Sequence, residues 1–243
     1  MTRRRFFAPP GAFNFSKRIV TLTSDEARHL REVLRLKPGD EVQVFDGAGK
    51  EFRAIVLNAR RESAELELQD EITSARPESP LQLTLAVALL KGEKFDLVVQ
   101  KGTELGVNRF IPLTTRYADI RLRDEADAAK RVARWQRIAL EAAKQCGRSV
   151  VPEISTPIAF DLIINENPCF LFSERAGQAL NTDLKTKSMT AIIGSEGGWS
   201  DEELDLARAA KVPIVTLGGR VLRAETAAIT AAVLFQHLYG DLK

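Results

Sequence analysis

Two glycine-rich segments near the C-terminus contain the residues best suited to ligand binding and chemistry. The first is IIGSEGGW at residues 192–199, and the second is LGGRVLRAETA at residues 217–227. Each completes an apolar, strand-like run and precedes a helical pattern, which predicts two strand-to-helix loops. Glycine lets backbone N–H and C=O groups approach a ligand, because no Cβ stands between them. Ligands of parallel sheets bind beyond the carboxyl ends of the strands, so we expect both loops to line one pocket.

Charged side chains in these loops could act on a bound substrate. Glu196 and Glu225 are candidate general bases, because partial desolvation raises the pKa of a carboxylate. Arg223 is a candidate for stabilising negative charge that develops on the substrate. Structural roles are the alternative: Glu225 lies in the first turn of a predicted helix, where a negative charge is favourable in any case. Ser200 and Glu203 predict a capping box after the first loop, which is compatible with a ligand site.

Other ligand and reaction classes fit the sequence less well. The GxGxxG fingerprint and the P-loop motif are both absent. Gly47 and Gly49 lie between two alternating runs and are predicted to form a hairpin turn. A hydrolase with Ser195 as nucleophile is one alternative, but its motif would be GxSxG, whereas Ser195 directly follows Gly194. A non-catalytic RNA-binding protein is the other, and it would leave the paired loops unexplained.

Four motifs, in this order, resemble one family. They are RRFF at residues 4–7, KGTELGV at 101–107, GSEGG at 194–198 and LGGRVLRAET at 217–226. Together they are similar to the RsmE family of bacterial 16S ribosomal RNA methyltransferases, over essentially the whole chain. That family methylates N3 of one uridine and belongs to the knotted SPOUT class.

This resemblance implies both the fold and the partners. The expected fold is a SPOUT-type α/β-knot methyltransferase domain with a parallel sheet, preceded by a small PUA-like β-barrel that binds RNA. S-adenosylmethionine is the expected cofactor. A specific uridine of 16S ribosomal RNA in the small subunit is the expected substrate, with another RNA as an alternative, and the expected assembly is a homodimer.

The resemblance, together with the charge and spacing of the residues, gives expected roles for individual residues. The expected cofactor-binding residues are Ile193, Gly194, Glu196, Gly197, Gly198, Leu217, Gly218, Gly219, Val221 and Leu222. The expected catalytic residues are Arg223, Glu225 and Glu196. The expected RNA-binding residues are Arg3, Arg4, Arg5, Arg28, Arg31, Arg35, Arg116 and Arg148. Because uridine N3 is a poor nucleophile while it carries its proton, a base or a cation must assist the transfer.

Two positions depart from the family pattern. Ser195 stands where the family usually has proline, and Ala224 where it usually has threonine. Proline fixes φ and lacks an N–H, so Ser195 makes the first loop less rigid and adds a donor. A side chain at Gly197 or Gly219 would project into the space of the ligand, so valine at either position is expected to abolish cofactor binding.

Composition limits the classes of protein that the chain can belong to. Its 243 residues are 44% apolar, which suits one large or two modest globular domains. The longest apolar run, around residues 85–90, is far shorter than the roughly 18 residues of a membrane span. Residues 2–7 superficially resemble a twin-arginine export signal, but the Pro-Pro-Gly at 9–11 ends the apolar part. Two cysteines and two histidines lack metal-ligand spacing. We expect a cytoplasmic protein without a metal site or membrane span.

Charge and pattern predict two domains. Residues 1–40 contain nine basic and four acidic side chains, which suggests a face that binds phosphate or a solvated surface. Alternating runs at 41–45, 52–56 and 64–68 predict strands. A helix from Thr23, with a capping box completed by Glu26, would place Arg28, Arg31 and Arg35 on one stripe. We therefore predict a first domain over residues 1–72, followed by a proline-containing linker.

Strands and helices alternate over residues 73–243, the predicted second domain. The predicted strands lie at 81–90, 110–111, 170–172, 191–193 and 214–216, and the predicted helices at 94–105, 127–146, 201–210 and 225–239. This alternation predicts an α/β fold with a parallel sheet. The last helix is apolar on most sides and is expected to be buried. The knot follows from the resemblance alone, because pattern reasoning would exclude one.

Overall fold

The computed structural model describes residues 4–74, 76–165, 168–180 and 186–243. The chain forms two compact units: the first extends to Glu78 and includes Ala143–Val151, and the second comprises Ser79–Ala142 and Pro152–Lys243. The predicted boundary between residues 72 and 73 did not include Ala143–Val151 in the first unit. Contacts between residues far apart in the sequence join this segment to the rest of the first unit. One of them is the parallel bridge between Gly47 and Val150.

The first unit is a curled six-stranded sheet. Its strands are β1 (Arg5–Phe7), β2 (Phe13–Asn14), β3 (Ile19–Leu22), β4 (Glu41–Phe45), β5 (Glu51–Ala59) and β6 (Ala64–Ile72). Their order is β1-β4-β5-β6-β3-β2, with β1 parallel to β4 and the other pairs antiparallel. Register shifts between β5 and β6 mark irregularities that bend a sheet. The predicted barrel is therefore a half-barrel, whose two end strands, β1 and β2, are not sheet neighbours in the described part of the chain.

The predicted first helix differs in its details. The structure has a short α1 (Ser24–Arg28) that continues as a π-helical turn over His29–Val33. Thr23 occupies the predicted N-cap but makes no side-chain capping bond. The predicted capping box is wrong because the carboxylate of Glu26 accepts hydrogen bonds from Lys144 Nζ at 2.6 Å and from the N–H of Phe7 at 3.4 Å.

The predicted arginine stripe is also interrupted. Arg28 ends α1, Arg31 lies in the π-helical turn, and Arg35 has a left-handed φ of 53°. Regular spacing of three and four residues requires an uninterrupted α-helix. The three side chains therefore do not follow one α-helical face.

The second unit is an α/β layer structure around a parallel sheet. Its strands are β7 (Gln82–Ala88), β8 (Arg109–Thr114), β9 (Glu153–Ile154), β10 (Ile158–Ala159), β11 (Cys169–Phe172), β12 (Ser188–Ile193) and β13 (Ile214–Val215). Its helices are α2 (Lys94–Glu104), α3 (Glu125–Cys146), whose last turn falls in the first unit, α4 (Phe160–Ile163), α5 (Asp201–Ala209) and α6 (Ala224–Tyr239). The strand order is β10-β8-β7-β12-β11-β13, with β9 beside β8 and every pairing parallel.

The predicted α/β class and parallel sheet are confirmed. The short elements β9, β10 and α4 were missed, because two to four residues carry too little periodicity to detect. None of the described helices is long and apolar enough to cross a membrane. The trefoil knot stays a prediction.

A candidate cofactor cavity at the carboxyl ends of the parallel strands

A cavity of about 320 Å³ lies at the carboxyl ends of three neighbouring strands, β12, β11 and β13. Its wall is formed by the loops that follow these strands, at residues 172–174, 193–199 and 215–224. The strands are parallel, so their carboxyl ends share one edge of the sheet. The two glycine-rich loops therefore lie in one wall, together with a third loop that no sequence motif indicated.

Most of the predicted cofactor-binding residues line this cavity. Those in the lining are Ile193, Gly194, Glu196, Gly197, Gly198, Leu217, Val221 and Leu222. Gly218 and Gly219 do not line it. Val221 is 82% exposed, so it borders the opening of the cavity.

The glycines of the two loops differ in why glycine suits each position. Gly198 and Gly218 have φ values of +71° and +67°, which favour glycine. A Cβ on Gly197 would lie 2.7 Å from Tyr117 Cβ and 2.9 Å from Tyr117 O, so this glycine is required by a neighbouring segment of the protein. A Cβ on Gly219 would meet no atom within 4 Å. Packing against Tyr117 therefore explains the glycine at position 197. At position 219 no contact of the described residues requires glycine, and the residue does not line the cavity.

The loop after β12 is held by α5. The predicted capping box is confirmed: Ser200 Oγ accepts from the N–H of Glu203 at 3.2 Å, and Glu203 Oε2 accepts from the N–H of Ser200 at 2.9 Å. The other carboxylate oxygen of Glu203 accepts from the N–H of Arg116 at 2.8 Å. Trp199, which is 2% exposed, donates from Nε1 to the carbonyl oxygen of Phe172 at 2.8 Å. These bonds connect the β12 loop to the segments that follow β8 and β11.

The third loop turns back against β13. A Cβ on Gly177 would lie 2.7 Å from the backbone N of Thr216, so the two backbones are in close contact. Gln178 exchanges backbone hydrogen bonds with Ile214 and Thr216 at 2.9 and 3.0 Å. The sequence offered one signal for this loop: Phe172 ends a predicted strand of the same parallel sheet, so residues after it must reach the same edge.

Glu196 is paired with a lysine. Its Oε1 accepts from Lys94 Nζ at 2.8 Å and from the N–H of Lys91 at 3.4 Å. Burial raises the pKa of Glu196, but the hydrogen bond and charge of Lys94, together with backbone N–H groups, hold that pKa below its usual 4.5. The structure therefore argues against Glu196 as a general base and for a role in fixing the loop.

This assignment predicts how the pair depends on pH. Because the pKa of Glu196 is lowered in the folded state, the Lys94–Glu196 pair stabilises the folded protein fully above pH 4.5. This stabilisation is lost as the pH falls through the folded-state pKa. Between about pH 6 and about pH 9, Glu196 stays ionised, so the reaction that the resemblance implies, methyl transfer, should show no ionisation that belongs to Glu196. Rate–pH profiles of the parent and of Glu196→Gln should have the same shape. An acidic limb that disappears in the variant would identify Glu196 as the base.

Arg223 and Glu225 lie at the start of α6 but differ in their access to the cavity. Arg223 is the exposed N-cap residue, it lines the cavity, and its side chain makes no hydrogen bond or ion pair with the described residues. Glu225 is 8% exposed and does not line the cavity, and its Oε2 has no hydrogen-bond partner among the described residues. Arg220, from the same motif, also lines the cavity and was not among the predicted catalytic residues. The geometry therefore favours Arg223 and Arg220 over Glu225 as residues that could act on a ligand in the cavity.

The cavity wall suits a ligand with both apolar and hydrogen-bonding parts. Phe172, Val215 and Leu222 supply apolar surface. Ser195 Oγ and Thr216 Oγ1 are buried in the wall and have no partner among the described residues. An unsatisfied buried hydroxyl costs about 1–3 kcal/mol, so a ligand with polar groups is favoured over a purely apolar one. An adenine nucleoside combines these properties.

Two of the predicted RNA-binding arginines form buried ion pairs within the first unit. Arg5 donates from Nε to Glu51 at 2.7 Å and lies over the ring of Phe45, at 3.8 Å from its centroid. Arg148 pairs with Glu78 at 2.6 Å, and its side chain is 7% exposed. Buried ion pairs leave neither guanidinium available to RNA, which corrects the prediction for both residues.

The other RNA-binding candidates are accessible, with one outside the described residues. Arg4, Arg28 and Arg35 are exposed, Arg31 is half-buried, and Arg116 is exposed in the second unit. Arg4 and Arg31 form surface ion pairs with Asp40 and Glu32 at 3.4 and 2.6 Å. Such exposed pairs contribute roughly 0–1 kcal/mol and can exchange for phosphate contacts. Arg3 lies outside the described residues.

No group of three or more potential metal ligands occurs among the described residues. Cys146 and Cys169 form no disulfide, and Cys169 is buried.

Comparison with known proteins places both units in one class. Residues 77–236 match the family described as an RNA methyltransferase domain, and residues 22–69 match the RNA methyltransferase PUA domain. The half-barrel and the parallel sheet with its cavity thus define an RNA methyltransferase.

Named relatives identify the family within this class. The ribosomal RNA small subunit methyltransferase E of Synechocystis is 36% identical over 222 residues, which cover 87% of this chain and 71% of the relative. The Bacillus subtilis protein of the same name is 29% identical, covering 91% of this chain and 92% of its own. A crystal structure of the Neisseria gonorrhoeae enzyme bound to S-adenosyl methionine is 34% identical, with a TM-score of 0.86 and coverage of 99% of both chains. The chain belongs to the ribosomal RNA small subunit methyltransferase E family, which confirms the resemblance seen in its motifs.

Proposed function

We propose that this protein uses S-adenosylmethionine to methylate N3 of a specific uridine in the 16S ribosomal RNA of the small subunit. The observation that carries the proposal is the three-loop cavity, whose lining includes eight of the ten residues expected to bind the cofactor. Structures of the Neisseria gonorrhoeae relative and of a Legionella pneumophila methyltransferase, 31% identical to this chain with a TM-score of 0.87, contain this cofactor.

The cofactor would be held by the glycine-rich loops and the apolar wall. Backbone groups of Gly194 and Gly198, with the side chains of Phe172 and Leu222, are suited to its adenosine part. When bound, S-adenosylmethionine supplies an electrophilic methyl group. The protein's own residues must then orient the uracil and assist the loss of its N3 proton.

Arg223 is the residue best placed to assist. As N3 loses its proton to solvent water, negative charge develops on the uracil ring and its oxygens; N3 would then accept the methyl group, with S-adenosylhomocysteine as the other product. A guanidinium that lines the cavity can stabilise this charge by a direct hydrogen bond or ion pair to the uracil. Glu196 is engaged by Lys94, and Glu225 does not line the cavity, so neither is supported as the base by its position.

The hydrolase alternative loses its support. Ser195 Oγ has no hydrogen-bond partner among the described residues, and therefore no base that would activate it. A purely RNA-binding protein would leave the cavity without a role. Methylation of another RNA is the alternative that remains, and the substrate experiment below separates it from the proposal.

The other expected partners are RNA and a second copy of the chain. The exposed arginines of the first unit are suited to RNA phosphates. We expect a homodimer through α6, whose outer face keeps Leu238 38% exposed and Val233 and Leu234 partly exposed within a single chain. Light scattering would measure the assembly. An enzyme that modifies ribosomal RNA works where ribosomes are, so we expect it in the cytoplasm.

Isothermal calorimetry with S-adenosylmethionine tests the cofactor assignment. We expect saturable binding with one ligand per chain, competition by S-adenosylhomocysteine, and no binding of ATP, because the chain lacks phosphate-binding motifs. Competition by ATP, or no binding of S-adenosylmethionine to folded protein, would contradict the assignment.

A further inference from the structure

An exposed aromatic residue lies beside the proposed cofactor loop. Tyr117 is 49% exposed, and its ring stacks on no other aromatic ring of the described residues. Its Cβ and backbone oxygen lie 2.7 and 2.9 Å from where a Cβ on Gly197 would be. The base of the side chain is thus packed against the cavity loop, while much of the ring remains accessible.

The segment that carries Tyr117 is held in place on several sides. Arg121 donates to the carbonyl oxygens of Thr115 and Arg116 at 3.0 and 2.9 Å. The N–H of Arg116 donates to the buried Glu203 at 2.8 Å. A ligand that uses Tyr117 therefore meets a preorganised backbone and pays little ordering entropy.

Basic side chains lie on the segment that carries Tyr117 or form an ion pair with it. The side chain of Arg116 is exposed and forms no hydrogen bond or close ion pair with the described residues, and its charge also interacts with the carboxylate of Glu202. Arg123 has an 83% exposed side chain, and Lys91 pairs with Asp119 at 2.8 Å while remaining 60% exposed. The hydrogen bond and charge of Asp119 raise the pKa of Lys91, so it is positively charged at neutral pH.

We propose that Tyr117 stacks on an unpaired base of the RNA substrate at the edge of the cofactor cavity, while Arg116 contacts the adjoining phosphate. The inference rests on the proposed function and names a substrate contact for it. An accessible ring beside an exposed arginine side chain matches the chemistry of single-stranded RNA, whose bases stack on aromatic side chains. A protein partner would require a larger apolar patch than one ring.

Substitution at Tyr117 separates the ring from the loop contact. Tyr117→Ala keeps the Cβ and the backbone oxygen that face Gly197, so the cavity loop should be unaffected. Tyr117→Phe keeps the stacking surface. Leu206→Ala is the matched control, because Leu206 is 46% exposed on α5 and does not line the cavity.

Each variant would be tested with small ribosomal subunits that lack the modification, and with a short uridine-containing single-stranded RNA. We expect Tyr117→Ala to raise KM for subunits and Kd for the oligonucleotide by about fivefold to hundredfold. Tyr117→Phe and Leu206→Ala should resemble the parent, and cofactor affinity by calorimetry should be unchanged in all three.

Several outcomes would overturn the stacking role. They are unchanged RNA affinity in Tyr117→Ala, a defect in Tyr117→Phe as large as that in Tyr117→Ala, and loss of cofactor binding in Tyr117→Ala. If the parent methylates no subunits, the proposed function fails. The oligonucleotide affinities of the parent and Tyr117→Ala would still decide the stacking role independently.

Discussion

Replacing Gly197 by alanine is expected to weaken S-adenosylmethionine binding by about tenfold to hundredfold, the range that overpacking of a tight contact produces. The new Cβ would lie 2.7 Å from Tyr117 Cβ and 2.9 Å from its backbone oxygen, closer than real contacts allow. The Tyr117 segment cannot withdraw easily, because Arg121 and Glu203 hold its backbone. The loop after β12 must move instead, and it forms the cavity wall. Calorimetry on the folded variant measures the loss.

Gly219→Ala is the matched control for this substitution. A Cβ there would meet nothing within 4 Å, its φ is not left-handed, and the residue does not line the cavity. Its cofactor affinity should equal that of the parent. Parent-like binding by Gly197→Ala would refute the steric account. An equal loss in Gly219→Ala would restore the original expectation that both glycines make room for the ligand.

Arg223→Ala is expected to lower kcat by about a hundredfold to a thousandfold, as removal of a charge-stabilising donor does. Cofactor affinity should not change, because the proposed contact forms in the transition state and not in the ground state. The variant should fold, since the Arg223 side chain makes no capping hydrogen bond to α6. Single-turnover methylation of small subunits at saturating cofactor measures the effect.

Arg208→Ala provides the control for loss of positive charge. Arg208 pairs with Asp205 on the surface of α5 and does not line the cavity, so its removal should preserve turnover. Full turnover by Arg223→Ala would end its proposed catalytic role. A parallel fall in cofactor affinity would show instead that Arg223 binds the cofactor in the ground state.

The two predicted capping boxes show what local sequence can and cannot specify. Both have a hydroxyl residue followed three positions later by glutamate, at Ser200 and at Thr23. The first forms as predicted, with Glu203 also bonded to Arg116. In the second, the carboxylate of Glu26 accepts a hydrogen bond from Lys144 and does not cap the helix. That lysine lies 118 residues away in the chain, so no local pattern could reveal the competition.

Long-range pairing explains the other differences as well. The basic excess near the N-terminus was visible, but Arg5 is occupied by Glu51, far along the chain. The helices and longer strands of the second unit were predictable because their apolar periodicity is strong. The third cavity loop was not predicted, because its position depends on which strands neighbour β11 in the sheet. The same limit applies to Gly197, whose contact with Tyr117 joins loops after β12 and β8.

The most direct test of the central claim is to map the methyl group in the product. The 243-residue protein would be incubated with labelled S-adenosylmethionine and small ribosomal subunits that lack the modification, followed by digestion and sequencing of the 16S ribosomal RNA. The account predicts label at a single uridine, on N3, and none in the large-subunit RNA. Label on ribose, on a carbon atom or on another RNA, or no incorporation by protein that binds the cofactor, would contradict it.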